Sequence, residues 1–325
     1  MHQSHQDHAD NAIDTLKHRA YIRKKMNGDL PVTANQFQNT LILCFMSGFA
    51  LMEFVTRRYQ RTVTANANDT KLELLMFLSL VAITQPLALL ATAKLGTWLA
   101  PTWQNRLADL PGWAMVGLLL VGDDMTQYWW HRLSHSPLMW PLHRAHHSAS
   151  YMSIRITYRN NFFYYLMMPG LWIGGALLYL GVGGMVYAGY MVVKLLVILG
   201  AHCAWRWDEP LYRIRALHPL AWVLERTLST PATHWAHHAI TNEDGIGHYK
   251  GNFGNLLFFW DVLFGTAHIT RRYPAQVGLI DDRLFGEEKW QHQMFYPVLQ
   301  SQRAHSALRL GGKAYEAPPE THEVR

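Results

Sequence analysis

The sequence has only two cysteines, Cys44 and Cys203, among 325 residues. Two thiols exclude a disulfide framework, a thiolate zinc finger and a four-thiolate iron–sulfur cluster. Charge is scarce as well. Asp, Glu, Lys and Arg make up 16% of the chain, against about 25% in an average soluble protein. Residues 74–93 carry no charge, and residues 160–193 run for 34 positions without one. Histidine is missing from positions 19–130, then recurs eleven times between 131 and 248. Disorder is excluded by what is plentiful: half the residues are hydrophobic, with 13 Trp, 15 Tyr and 13 Phe.

The uncharged stretches predict membrane helices, because about 20 apolar residues cross the hydrocarbon core. Phe37–Val55 is one, with Glu53 as its only charge, and Leu74–Ala93 is another. The long run, extended by Leu195–Ala201, has room for two crossings with Gly181-Val-Gly-Gly184 as the turn. Trp113–Trp130 is a further candidate that contains Asp123 and Asp124, and intramembrane carboxylates usually face a polar site or water. The expected fold is all-α and integral to a membrane, with about four or five transmembrane helices. A polar N-terminal tail (1–36) and a soluble C-terminal extension (271–325) ending in a disordered tail flank the membrane domain (37–270). The first apolar segment follows 36 polar residues and is not a cleavable signal. The loop Thr56–Lys71 carries Arg57, Arg58, Arg61 and Lys71, which argues for a cytoplasmic location on the histidine side. Lys17, Arg19, Arg23, Lys24 and Lys25 in the tail argue for that same side, so the side of the N-terminus stays open. The net charge of +6 suits anionic headgroups. Nucleic-acid binding is not expected, since no groove-reading or stacking motif accompanies the basic residues.

Three histidine clusters carry the chemistry: His131-Arg-Leu-Ser-His135, His143-Arg-Ala-His146-His147 and His234-Trp-Ala-His237-His238. On a helix, residues three and four apart are neighbours, so each box aims two or three imidazoles the same way. Eight imidazoles are too many for one ion; divided between two they give about four each, with positions left for oxygen or water. The boxes follow apolar segments rather than occupying their middles, which puts the site in a histidine-lined cap near the membrane surface. A zinc protease is excluded because Arg132, not glutamate, follows the first histidine. A membrane metal transporter with multi-histidine sites is the alternative, and it predicts ligands near mid-membrane beside broken helices.

The order HxxxH, HxxHH, HxxHH resembles the fatty acid hydroxylase / sterol desaturase superfamily of membrane non-heme di-iron enzymes. The flanks that carry the likeness are Tyr128-Trp-Trp-His131-Arg132, Leu138-Met-Trp-Pro-Leu-His143, Thr230-Pro231-Ala-Thr-His234, Asn252-Phe253-Gly254 and Trp260-Asp261-Val-Leu-Phe264-Gly265-Thr266. It covers roughly residues 113–270. The resemblance implies two irons held by His131, His135, His143, His146, His147, His234, His237 and His238. His202, in Gly200-Ala-His202-Cys203, then looks like a ninth ligand or a residue that orients one. His218 and His248 are undecided between metal and structural roles. Asp124, seven residues before His131, shares its helical face and is a candidate to orient it. Some relatives have an acidic residue where Ser136 stands, so chemistry that depends on that carboxylate is in doubt. The implied reaction is O2-dependent hydroxylation or desaturation of a lipid or sterol-like substrate. Trp129, Trp130, Tyr164 and Trp172 are candidates to line its apolar pocket or simply to pack. No dinucleotide fingerprint or iron–sulfur set is present, so electrons must come from a reductase, ferredoxin, cytochrome b5 or pterin. A bacterial inner membrane or the endoplasmic reticulum is the expected location.

Overall fold

The computed structural model describes residue 34 and residues 36–314. The tail histidines His2, His5, His8 and His18, and the C-terminal stretch from 315, lie outside the described residues. Among those described, the chain is helical and has no strand; one isolated bridge joins Ala239 to Val277.

Four helices are long and apolar enough to cross a membrane: α1 (Gln36–Val55), α2 (Ala67–Leu99), α4 (Phe162–Tyr179) and α5 (Gly184–His202). Between α2 and α4 lies α3, a continuous run of Gly112–Leu119, the wide turn Leu120–Met125 and Thr126–Ser134. It contains Asp123 and Asp124 and is not among the four. Apolar side chains point outward all along this frame, with Trp98 77% and Trp113 80% exposed. A surface of that kind suits lipid, not water.

The helices meet at two levels. At one end, residues 100–107 lie against the α4–α5 turn: Tyr179 Oη donates to the Ala100 carbonyl at 2.8 Å, and Leu107 N to Leu180 O at 2.7 Å. That turn is built from the predicted glycines. Gly181 and Gly184 have φ of 100° and 62°, and a Cβ on Gly181 would lie 2.9 Å from the Ala108 nitrogen. At the other end α1 finishes, α2 begins, and every histidine box is found. Glu53, buried at the end of α1, accepts from Ser153 Oγ (2.7 Å), Ile154 N (2.9 Å) and Ala204 N (2.8 Å). The loop after α1 bonds the segment that follows the second box, through Thr64–Ser150 and Arg155–Tyr59. The basic 56–71 loop is therefore on the histidine side.

Inside the frame, Lys194 of α5 and Tyr190 both donate to Asp123 of α3. This pairing explains how a lysine and a carboxylate are tolerated among apolar helices.

The cap is tied together by buried arginines. Arg159 donates to the Ala145 carbonyl (2.8 Å), Ser148 Oγ (2.7 Å) and Asp69 (2.5 Å), joining α2 to the second box. Arg144 is held by Asp281 (3.0 Å) and Asp282 (2.5 Å). Residues 271–314 close over the cap: Gln293 also bonds Ser148, and Trp290 N donates to Asn68. Removing one member of a buried ion pair leaves the other desolvated and unpaired. Arg159→Met is expected to cost about 3–5 kcal/mol, read as a large drop in the thermal midpoint of the purified protein. An unchanged midpoint would show that this pairing does not hold the cap.

Candidate metal centre

Each box starts where its sequence says it should. Pro141 stands in the first turn of α6 (Trp140–His147), where its missing N–H costs nothing. Thr230 and Thr233 form a reciprocal cap at the start of α7 (Pro231–His237), again with proline in the first turn. Asp208 fixes that start further by accepting from Ala232 N at 2.9 Å.

Each box aims two imidazoles the same way, and the second and third boxes turn one more toward a different group. The nine histidines form two groups, each with its candidate ligand atoms within 4.8 Å of one another. The first holds His131, His135, His143, His147 and His237; the second holds His146, His202, His234 and His238. The rule behind the division is helical. Residues four apart stay together, as in His131/His135, His143/His147 and His234/His238. The middle histidine of each HxxHH box, His146 or His237, three residues after the first, is turned to the other group. A one-residue step rotates about 100° around a helix, so His146 and His147 cannot face one point. The groups adjoin: the rings of His147 and His238, one from each, stack at 4.3 Å.

Hydrogen bonds fix which nitrogen faces inward. Nδ1 of His131 bonds the Phe253 carbonyl (2.7 Å), that of His237 the Gly251 carbonyl (2.7 Å), that of His146 the Arg159 carbonyl (3.1 Å) and that of His202 the Ile198 carbonyl (2.8 Å). A carbonyl oxygen only accepts, so each Nδ1 carries the proton and each Nε2 presents a lone pair. These lone pairs converge. Nε2 of His131 and His237 are 3.0 Å apart, and those of His146 and His202 are 3.3 Å apart. Burial holds the boxed imidazoles neutral, pushing His131 down to about 4 and His135, His143, His146, His147, His234, His237 and His238 well below the usual histidine range. Nitrogen atoms His135 Nε2, His143 Nε2 and His147 Nε2 are buried with no hydrogen-bond partner. Facing lone pairs and orphaned nitrogens in one dry pocket are costly as they stand. A cation at each group would satisfy them, and imidazole nitrogen is the right donor for a transition metal.

The motif residues outside the boxes serve as supports. Asp261 accepts from Phe253 N (2.8 Å), Gly254 N (2.6 Å) and Thr266 Oγ1 (2.6 Å). Asn252, at φ 55°, donates to the Thr233 and His268 carbonyls. Together they fix the loop whose Gly251 and Phe253 carbonyls orient His237 and His131. The Asn-Phe-Gly and Trp-Asp-Val-Leu-Phe-Gly-Thr spacing stands in the sequence as a motif, without its purpose. Losing such an orienting partner typically costs 10–100-fold in metal affinity. Asp261→Ala is expected to lower metal retention on dialysis by about that factor; full retention would refute the role.

The remaining candidates lie elsewhere. Asp124 does not touch His131. Its carboxylate accepts from Leu256 N, Leu257 N and Trp260 Nε1 (2.8 Å). The wide turn at Leu120–Met125 breaks the 3.6-residue phase on which the expectation rested. His218 bonds the Tyr212 carbonyl, and His248 lies beside His268; neither joins a group. Of the four aromatic candidates, Tyr164 stacks on His143 at 5.0 Å. Trp130 packs on Tyr164, Trp129 on Phe264, and Trp172 donates to the Leu166 carbonyl. Trp140 and Phe253, read in the sequence as parts of motifs and not as lining, flank His135 at 5.4 and 5.2 Å.

Comparison with known proteins finds likeness in the same region. Residues 116–266 match the model of the fatty acid hydroxylase family. Alkylglycerol monooxygenase of Homo sapiens is 31% identical over 171 residues, which is 50% of this chain and 34% of that protein. Alkylglycerol monooxygenases of Xenopus tropicalis and Danio rerio are each 29% identical, over 50% of this chain and 33% of theirs. The match thus spans about a third of the length of these relatives. No solved structure matches.

Proposed function

From the match of residues 116–266 to the fatty acid hydroxylase family model we propose that this protein is a membrane-bound, O2-dependent oxidoreductase that hydroxylates or desaturates a lipid. The observation that carries the reading is the division of nine neutral histidines, eight buried and His135 half-buried, into two adjoining groups with converging lone pairs. His131, His135, His143, His147 and His237 would hold one iron, and His146, His202, His234 and His238 the other. Bound there, two irons supply the oxidising power needed to attack an unactivated C–H bond with O2.

The chain's own residues do the rest. The Phe253, Gly251, Arg159 and Ile198 carbonyls hold the imidazoles in the tautomer that ligates. Tyr164, Trp140 and Phe253 exclude water around the first group. The apolar frame delivers a greasy substrate to a cap at one end of the membrane helices. The relatives' name, alkylglycerol monooxygenase, supports a lipid over a sterol. Insertion of one oxygen atom consumes two electrons and two protons and releases the second oxygen as water. No sequence motif here binds a nicotinamide or flavin, so an external reductase, ferredoxin, cytochrome b5 or pterin supplies the electrons. The 56–71 loop with its arginines argues that the histidine face is cytoplasmic. A metal transporter fits less well, because the histidines gather at helix ends and not at mid-membrane.

Elemental analysis of anaerobically purified protein is expected to give about two irons per chain, the two-ion reading of the histidine groups. With membrane lipid, a reductant system and 18O2, mass spectrometry should find labelled oxygen in a hydroxylated product, or lipid two hydrogens lighter if the outcome is desaturation. Tightly held zinc and no O2 uptake with any donor would reject the reading.

A further inference from the structure

A second polar site lies apart from the histidines, where two apolar helices end. Thr56 and Arg58 follow α1, and Trp205 and Arg206 follow α5. With Glu209, Pro210 and Arg213 they line an open cavity of about 290 Å³. Three guanidinium groups face it against a single carboxylate. Glu209 is already shared, 2.6 Å from Arg213 and 3.6 Å from Arg58.

Arg206 is the telling residue. Its side chain makes no hydrogen bond and no ion pair among the described residues, and its Nε is buried without a partner. Its guanidinium lies instead in the angle between two aromatic rings that meet edge to face, 4.1 Å from the Tyr273 ring centre and 4.8 Å from that of Trp235. Aromatic faces hold the cation in place but leave its five N–H donors unused. A half-buried guanidinium beside a second arginine, with no anion of its own, is a costly arrangement unless a ligand completes it. By contrast, the other large buried arginines, Arg144 and Arg159, are each met by carboxylates.

We propose that this cavity binds a phosphate ester, the Arg206, Arg58 and Arg213 guanidiniums taking its oxygens. Phosphate offers several acceptor oxygens in a compact group, and arginine forks match it bidentately. The level of the site, at the ends of two membrane helices, is where a phospholipid headgroup lies. The site also abuts the third box. The Trp235 ring under Arg206 belongs to the residue after His234, and Tyr273 Oη donates to Asp208, which fixes the start of α7. Binding here therefore bears on the element that carries three of the nine histidines.

The test is isothermal titration of the full chain in uncharged detergent, independent of iron content. Dioctanoyl phosphatidic acid is expected to bind saturably, and dioctanoylglycerol, which lacks only the phosphate, is not. Arg206→Gln should weaken phosphatidate binding by about tenfold or more. The double variant Arg58→Gln/Arg213→Gln should do the same, and its side chains are exposed enough (34% and 75%) to leave folding intact. Inorganic phosphate separates the two sources. If it competes with phosphatidate at similar concentration, the site takes free phosphate; if a large excess does not compete, the site takes a lipid headgroup. Equal binding by wild type and variants, equal binding of the glyceride, or no binding of either phosphate ligand by the wild type would overturn the proposal.

Discussion

His237→Ala is expected to remove activity by at least about a thousandfold, on the order of 4 kcal/mol of transition-state stabilisation, while leaving the second histidine group intact. The reason is the way its box divides. His237 stands with His131, His135, His143 and His147, whereas its neighbours His234 and His238 stand with His146 and His202. One substitution therefore strips a ligand from one group and spares the other. Bound iron should fall from about two per chain to about one. His146→Ala makes the mirror-image test, since it leaves the first group with all five members. If instead one variant loses both metals, the two groups are filled as a unit and the adjoining His147–His238 stack is the place to look for the coupling. Full activity in either variant would reject the assignment of the site. A melting curve matching that of the wild type, measured on metal-free protein, separates loss of metal from loss of fold.

That division into groups was not legible in the sequence. Spacings of three and four announce that imidazoles share a helix face, and they place each box on a helix that begins at Pro141 or Thr230-Pro231. The one-residue step says that His146 and His147 diverge, but not which group each one joins, because that depends on how α6 and α7 cross. His202 was readable as a ninth ligand or an orienting residue only through the family resemblance; the structure brings its Nε2 to 2.9 Å from that of His234. Asp124 shows the opposite case. Counting back seven residues assumes a regular helix, and the wide turn at Leu120–Met125 voids the count. The membrane frame was legible because uncharged length is a local property. The cap was not: Glu53 bonds residues about a hundred and a hundred and fifty positions away, and Arg144 bonds Asp281 at a separation of 137. Those are contacts between charges that the sequence scatters, with no periodicity to connect them.

The neutral histidines also dictate how the protein responds to acid. His131 titrates near 4 in the fold because burial disfavours its cation, against about 6.5 in an unfolded chain. Between those values the unfolded chain binds the proton and the fold does not, so acidification favours unfolding. The stability that His131 contributes is fully present above about pH 6.5 and is lost as pH falls toward 4. Integrated over that window it comes to about 3 kcal/mol for this one residue. His135, His143, His147 and His237 are pushed the same way by the same burial, so they add to the slope. Metal sharpens the effect, since protons compete with it for every Nε2 lone pair and a bound cation stabilises only the folded form. The expected result is a chelator-treated protein whose thermal midpoint drops steeply from pH 7 to pH 5. An iron-loaded sample should start higher, release iron in the same window, and converge on the metal-free curve. Midpoints that are flat across this range, with iron retained at pH 5, would mean that the nine imidazoles are neither buried neutral nor the groups that hold the metal.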